Sequence, residues 1–182
     1  RSIVSLTNLG IGRNDRVAIV LENGPEMASA FVSIATVATT APLNPNYRRE
    51  EYRFYLTDLR AKALFVEINS TSPSIEVANE LDIPVIRLQV DTTMAAGEFD
   101  IVANKGAKNT VAGDFRGLAQ ADDVGLVLHT SGTTSRPKLV PLSQRNLVAS
   151  ALNISRTLAL NPTDRSMNIM PLFHIHGLIA VI

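Results

Sequence analysis

The 182-residue sequence contains no cysteine and no tryptophan, and aromatic residues make up only 5% of it. The missing cysteines exclude disulfides, thiolate metal ligands and cysteine nucleophiles, and they leave the redox compartment open. Charge of one sign is not in excess either, because 17 basic residues balance 17 acidic ones. The chain therefore lacks the basic field that favours nucleic-acid binding, and we expect no nucleic-acid partner.

Long hydrophobic runs are also missing. No apolar stretch approaches the roughly 20 residues of a membrane span, and the first residues lack the pattern of a signal peptide. We therefore expect a soluble protein without a membrane span. The sequence opens at Arg1 within a helical pattern and closes at Ile182 within an apolar segment, so we expect both ends to be cut.

Short β-branched runs alternate with amphipathic segments in the first half of the chain. The first run, residues 16–21, is stopped by Asn23-Gly24-Pro25, and the apolar share of 46% suits a globular domain. The pattern predicts an α/β fold whose mostly parallel sheet carries helices on both faces. The predicted strands are 16–21, 41–43, 62–67 and 83–88, and the predicted helices are 25–38, 48–59 and 74–81.

The pattern weakens after residue 88. We predict a first βαβ segment over residues 1–88, an irregular connection over 89–121 and a third segment over 122–182. The third segment should contain a strand at 124–130, a polar loop, a helix N-capped by Ser143 and ended by Asn161-Pro162, a short strand at 166–170 and a turn at 171–177. The apolar residues of that helix are Leu147, Val148, Ala151, Leu152 and Leu158.

The loop after the strand at 124–130 reads HTSGTTSRPKLVPL over residues 129–142. Hydroxyls and closely spaced amides followed by a lysine form a cradle for an anion, because a triphosphate has many acceptor oxygens and no donors. Gly132 would let the backbone approach the phosphates closely. The candidate phosphate ligands are Thr130, Ser131, Gly132, Thr133, Thr134 and Lys138.

Two common nucleotide motifs do not fit. The P-loop needs a glycine before its lysine and a Ser or Thr after it, whereas Pro137 precedes Lys138 and Leu139 follows it. The Gly10–Gly12 stretch lacks the third glycine of a dinucleotide fingerprint and precedes a strand instead of following one.

The loop resembles the phosphate-binding signature of the adenylate-forming superfamily, which includes acyl-CoA synthetases. Residues 130–134 and Pro137-Lys138 match, and stretches such as 14–19 and 41–45 extend the resemblance over nearly the whole chain. Ser135 replaces a glycine, as in the branch that contains oxalate–CoA ligases and peroxisomal CoA synthetases. Leu139 replaces another glycine, and a leucine there would strain the loop if the position needs a positive φ.

The resemblance implies that a carboxylic acid and ATP, with Mg²⁺, give an acyl-adenylate and pyrophosphate, after which CoA displaces AMP. The threonines and Ser131 would hold the β- and γ-phosphates, and Lys138 would act catalytically on the leaving pyrophosphate. The acid, ATP and CoA are thus the expected partners. In this family the location would be cytoplasmic or peroxisomal.

A second candidate site is the PLFHIHG segment at residues 171–177. By resemblance, His174 would lie between the acyl pocket and the α-phosphate, where a histidine can orient the attacking carboxylate. His176 is a weaker substrate-binding candidate. On a strand the two histidines would share a face, but His129 is the only other histidine, so we predict no metal site.

The substrate and the role of the isolated chain are left with alternatives. The paired histidines and Ser135 favour oxalate, and a medium-chain or aryl acid is the alternative. The family's adenine, ribose and C-terminal catalytic motifs are not found before Ile182. We therefore expect this fragment alone to be inactive, with weak ATP affinity. A non-catalytic interaction module is the rival reading, and an exposed sheet edge would favour a homodimer.

Overall fold

A computed structural model describes residues 2–90, 93–103, 117–130 and 137–179. In chain order the elements are α1 (Ser2–Asn8), β1 (Arg16–Val20), α2 (Pro25–Ala35), β2 (Thr39–Pro42), α3 (Arg49–Leu59), β3 (Ala63–Glu67), α4 (Pro73–Glu80), β4 (Val85–Gln89), β5 (Asp100–Ala103), β6 (Val124–Thr130), β7 (Lys138–Ser143), α5 (Gln144–Thr157) and α6 (Ile175–Ile179).

The strands form one sheet in the order β5-β4-β3-β1-β2-β6-β7. The five inner strands pair in parallel, and the two edge strands pair antiparallel to their neighbours. Parallel neighbours require crossover connections, and helices make the crossovers along the first half of the chain. The predicted α/β class with a mostly parallel sheet is confirmed.

The core lies on both faces of the sheet. Along β1, Val17 and Ile19 join the cluster beneath α1, α2, α5 and α6, whereas Ala18 and Val20 join the cluster beneath α3 and α4. A strand buried on both faces has no polar side, which is why residues 17–21 read as an uninterrupted apolar run.

Both edge strands depart from the sequence prediction. β5 lies inside the connection predicted to be irregular, and β7 occupies part of the predicted polar loop. Both are edge strands with partly exposed side chains, including Val102 and Val140, so neither shows the apolar run of an inner strand. Pro141 fits in β7 because an edge strand can lack one ladder hydrogen bond.

The prediction of a strand at residues 166–170 is wrong. The structure describes these residues without ladder pairing, and the side chains of Met167 and Ile169 are 86% and 80% exposed. Short apolar runs resemble strands in sequence whether or not a sheet lies beside them.

Helix α5 ends at Thr157, earlier than the predicted stop at Asn161-Pro162. Ala159 adopts a positive φ of 51°, the Ala159 N–H donates to the Arg156 carbonyl, and the Leu160 N–H donates to the Ser155 carbonyl. This is the Schellman arrangement, in which glycine usually takes the left-handed position. An alanine there gives no sequence signal for the helix end.

Two buried threonines join β6, the strand that precedes the candidate phosphate loop, to the rest of the sheet. The β2–β6 register pairs Thr40 with Leu126. Beside this pair the Thr39 hydroxyl donates to the Val124 carbonyl at 2.6 Å, and the Thr40 hydroxyl donates to the Gly125 carbonyl at 2.8 Å. Side-chain hydroxyls therefore supplement the backbone ladder inside the core.

An ion pair reinforces the same junction from outside. Arg13 Nε lies 2.7 Å from Asp123 Oδ2, and Arg13 Nη2 lies 3.0 Å from Asp123 Oδ1. The Gln120 N–H donates to the same carboxylate at 2.7 Å. The Arg13 guanidinium, followed by the Gln120 N–H, holds the pKa of Asp123 below its ordinary value.

Within the described ranges, none of the helices has both the length and the apolar character needed to cross a bilayer.

Replacing Thr40 by valine should weaken the β2–β6 junction. Valine keeps the shape but removes a buried hydrogen bond to Gly125, so we expect a loss of about 1–3 kcal/mol in the free energy of unfolding, measured in urea. Thr36→Val is the control, because its hydroxyl bond to Val32 is exposed; it should change the value by less than about 0.5 kcal/mol. Equal losses in the two variants would contradict the role of Thr40.

Asp123→Asn should destabilise the chain in a pH-dependent way. Because the pKa of Asp123 is lowered by folding, its carboxylate contributes fully above the ordinary carboxyl pKa of about 4, and the contribution is lost as the pH falls through the lowered value. The difference in Tm from the unsubstituted chain should thus be constant from about pH 5 to pH 8 and shrink below about pH 4. Asp122→Asn, which alters an exposed pair with Arg145, should show almost no difference at any pH.

Candidate functional site

The candidate phosphate loop connects strands β6 and β7, which pair as a hairpin at the side of the sheet. Thr130, the last residue of β6, is the ladder partner of Lys138, the first residue of β7, and both are exposed. The structure therefore brings the first and last predicted phosphate ligands side by side. The other predicted ligands, Ser131, Gly132, Thr133 and Thr134, lie outside the described residues.

Helix α5 follows the hairpin directly and is capped as predicted. The Ser143 side chain accepts from the Asn146 N–H, and the Asn146 side chain accepts from the Ser143 N–H, which completes a capping box. The helix start is also tied to α2, because Gln144 Nε2 donates to the Ala35 carbonyl at 2.6 Å.

A glycine allows α5 to approach β6 closely. A Cβ at Gly125 would lie 2.8 Å from the Gln144 side chain and 2.9 Å from Leu147.

Leu139 does not strain the loop. It lies inside the extended strand β7 and is absent from the described residues that have positive φ. Its side chain packs against the core cluster beneath α3 and α4, and across the ladder it faces His129. The glycine of the family pattern is therefore replaced at a position where a leucine gains burial.

The PLFHIHG segment forms a turn followed by the short helix α6. The His174 N–H donates to the Pro171 carbonyl at 3.1 Å, and His174 Nδ1 accepts from the His176 N–H at 3.2 Å. Both imidazoles are exposed. The turn predicted at 171–177 is found in its first half, and His176 lies in the helix that follows instead of on a strand.

Close packing against Gly177 fixes this turn. A Cβ at Gly177 would lie 2.3 Å from the Pro171 carbonyl oxygen and 2.9 Å from the Met170 carbonyl oxygen. Only a glycine lets helix α6 rest on the backbone of the turn at this distance.

Asn23, which is distant from the turn in sequence, holds the turn through two hydrogen bonds. Its Oδ1 accepts from the Leu172 N–H at 2.9 Å, and its Nδ2 donates to the Met170 carbonyl at 3.4 Å. The sequence showed Asn23 only as part of a strand stop. An asparagine after a buried strand is a weak signal on its own, and its partner lies far along the chain.

The two candidate sites lie at the same edge of the sheet, the one formed by the carboxyl ends of its parallel strands. Asn23 follows the carboxyl end of β1, and Thr130 is the carboxyl end of β6. Both strands run parallel to β2, which lies between them, so their ends are roughly 10 Å apart. Ligands of open α/β sheets bind at this edge.

His129 lies at the loop end of the hairpin. No role was predicted for it from the sequence. Its side chain is 5% exposed, Nε2 lies 3.1 Å from Asp58 Oδ2, and its ring meets the Tyr55 ring edge-on at 4.7 Å between centroids. Tyr55 in turn stacks on Tyr47, and burial, followed by the hydrogen bond with Tyr55, raises the pKa of Tyr47. Its phenol therefore stays neutral.

Among the residues that the structure describes, no group of three or more histidine, aspartate or glutamate side chains could hold a metal ion.

A sequence model of the AMP-binding enzyme family matches residues 4–182. The chain belongs to the AMP-binding enzyme family. The predicted membership in the adenylate-forming superfamily is thereby confirmed.

Curated AMP-binding relatives are similar along almost the whole chain. The oxalate–CoA ligase of Saccharomyces cerevisiae is 42% identical over 189 residues, which covers 93% of this chain and 35% of that protein. The oxalate–CoA ligase of Arabidopsis thaliana is 38% identical, covering 96% and 34% respectively. The chain spans about a third of the length of these relatives.

Two solved structures share the fold. O-succinylbenzoate coenzyme A synthetase (MenE) from Bacillus subtilis, in complex with ATP and magnesium ion, aligns with a TM-score of 0.70 and 26% identity over 99% of this chain and 34% of that one. Apo MatB from Rhodopseudomonas palustris aligns with a TM-score of 0.74 and 23% identity over 98% and 34%, and it supports the fold alone.

Gly177→Ala should displace helix α6 from the turn. The added methyl group would overlap the Pro171 carbonyl, so we expect a loss of about 1–3 kcal/mol in the free energy of unfolding and shifted imidazole NMR signals of His174 and His176. Gly24→Ala is the control, because its Cβ would meet only the flexible end of Glu26 at 3.2 Å. Unchanged imidazole signals in Gly177→Ala would show that the close contact does not position the histidines.

Proposed function

We propose that this chain supplies the phosphate-binding part of an enzyme that activates a carboxylic acid with ATP and transfers the acyl group to CoA. The observation that carries the proposal is the pairing of Thr130 with Lys138 at the carboxyl edge of the sheet, on either side of a hydroxyl-rich loop. The names of the oxalate–CoA ligases to which the chain is similar support the reaction class.

In this proposal the hairpin binds the polyphosphate. The Thr130 hydroxyl donates to a phosphate oxygen, and the Lys138 ammonium offsets the charge that grows on pyrophosphate as it leaves. Ser131, Gly132, Thr133 and Thr134 complete the cradle on the strength of the sequence pattern. Mg²⁺ enters with the nucleotide, since phosphate oxygens are its usual ligands.

His174 orients the acid in the proposed site. Its Nδ1 accepts the His176 N–H, so a neutral ring carries its proton on Nε2. That Nε2–H can donate to the substrate carboxylate while the other carboxylate oxygen attacks the α-phosphorus. The exposed His176 provides a second donor nearby.

A small dicarboxylate such as oxalate suits this arrangement best. Its second carboxylate needs hydrogen-bond donors or positive charge, which a pocket for a fatty chain would lack. His174 and His176 offer two imidazoles within one short segment, and the sequence similarity to oxalate–CoA ligases favours the same substrate class. CoA-dependent AMP release with oxalate, octanoate and coumarate ranks the candidates.

An assembly role is the second candidate function. None of the residues of α5, all of which are described, is buried, and Val148, Leu152 and Leu158 are exposed apolar side chains along or just after that helix. Such a face favours contact with another protein surface, including a second copy in a homodimer.

The half-reactions discriminate between the two functions. They are measured in an enzyme that joins this chain to the part of the S. cerevisiae relative that it does not cover. Lys138→Ala should slow adenylate formation roughly 100-fold and leave thioester formation from preformed adenylate within about threefold. Thr134→Val should show the same split on the sequence prediction.

Lys62→Ala is the matched control. Lys62 is an exposed lysine just before β3, at the opposite edge of the sheet, and its loss should leave both rates unchanged. Equal losses in both half-reactions for Lys138→Ala would count against a phosphate-binding role. An unchanged adenylation rate would favour the assembly role.

A further inference from the structure

A polar contact at the base of the candidate phosphate loop is not used by the proposed function. The side chain of His129, the residue before Thr130, is 5% exposed, and its Nε2 lies 3.1 Å from Asp58 Oδ2. An ionised carboxylate only accepts hydrogen bonds. Nε2 therefore carries the ring proton and donates a hydrogen bond to Asp58. A buried donor paired in this way fixes the ring orientation.

The contact reaches the hairpin from helix α3. Phe54 and Tyr55 precede Asp58 by four and three residues, so all three side chains lie on one face of the helix. The Tyr55 and Phe54 rings meet the imidazole edge-on, with centroids 4.7 Å and 6.2 Å away. The imidazole is therefore held by three side chains of a helix that is distant from it in sequence.

The same contact bears on both ends of the loop. Side chains alternate along a strand, so His129 shares the α3 face of β6 with Val127, and Thr130 lies on the other face. Leu139, the ladder partner of His129, packs on the same cluster as Val127. His129 precedes Thr130, and Leu139 follows Lys138. Thr130 and Lys138 flank the loop.

We propose that His129 and Asp58 are positioning residues that fix the mouth of the phosphate loop. Their hydrogen bond holds Thr130 and Lys138 at the separation needed to grip a polyphosphate without rearrangement. This inference rests on the proposed function, in which those two residues contact phosphate. Preorganised donors bind and stabilise anions more strongly than donors that must first be ordered.

The test compares two substitutions of His129 in the ¹⁵N-labelled chain. His129→Gln keeps an N–H donor close to the place of Nε2, and His129→Phe keeps an aromatic ring but removes the donor. The amide signals of Thr130 and Lys138 are followed while Mg²⁺ and tripolyphosphate are added. The Kd should rise about tenfold in His129→Phe and change little in His129→Gln, at the lower end of the range for lost orienting partners.

A double-mutant cycle assigns the effect to the pair. In an Asp58→Leu background the two His129 variants should bind tripolyphosphate equally, because the acceptor is gone. Glu80→Gln is the control on the same side of the fold, since it removes exposed ion pairs of Arg49 and Arg53 in α3. It should leave the Kd unchanged. A difference between the His129 variants that persists without Asp58 would overturn the pair.

Hydrogen exchange in the ligand-free chain separates this inference from the proposed function. The amides of Thr130 and Lys138 should exchange faster in His129→Phe than in His129→Gln. Equal exchange, or tight binding by His129→Phe with weak binding by His129→Gln, would show that ring packing and not the hydrogen bond matters. The phosphate-binding role would instead be refuted if the Thr130 and Lys138 amide signals of the unsubstituted chain did not change on addition of tripolyphosphate.

Discussion

The buried bonds from the Thr39 and Thr40 hydroxyls to the carbonyls of β6 hold the site together. The β2–β6 ladder is short, and these hydroxyls add hydrogen bonds where the backbone pairing alone would be weak. They place the β6–β7 hairpin, which carries the candidate phosphate loop, two strands from β1, whose end carries Asn23. The edge at which nucleotide and acid are proposed to meet depends on that placement, and the partly buried pair of Arg13 and Asp123 strengthens it.

The inner sheet could be predicted from sequence because its strands are buried on both faces and read as apolar runs between amphipathic helices. The edge strands could not. β5 and β7 have partly exposed side chains, and what makes them strands is the neighbour with which they pair. The same reasoning explains the false strand at 166–170, which alternates polar and apolar residues but has no neighbouring strand within the described residues. The Schellman end of α5 was hidden because alanine took the place of glycine.

Sequence reasoning could propose site residues where the chemistry lies in one continuous motif, as for Thr130, Lys138 and His174. The supporting contacts were not. Asn23 and Asp58 reach their partners only after the chain has folded, with Leu172 and His129 far away in sequence. Leu139 shows the converse, since a residue that looked unsuitable in the motif is accommodated by a core cluster that the motif does not reveal. The roles of the loop residues and of His174 and His176, the homodimer and the compartment stay predictions.

The turn that carries His174 is tethered to the end of β1 through Asn23, whereas the phosphate hairpin takes its place from β2 and α3. The part proposed to select the acid and the part proposed to hold the nucleotide thus have separate anchors on a common scaffold. On that proposal, substitutions in residues 168–177 would change the turn that carries His174 while leaving the anchors of the β6–β7 hairpin in place. A chain arranged in this way would accept changes in its acid specificity independently of changes in its nucleotide binding.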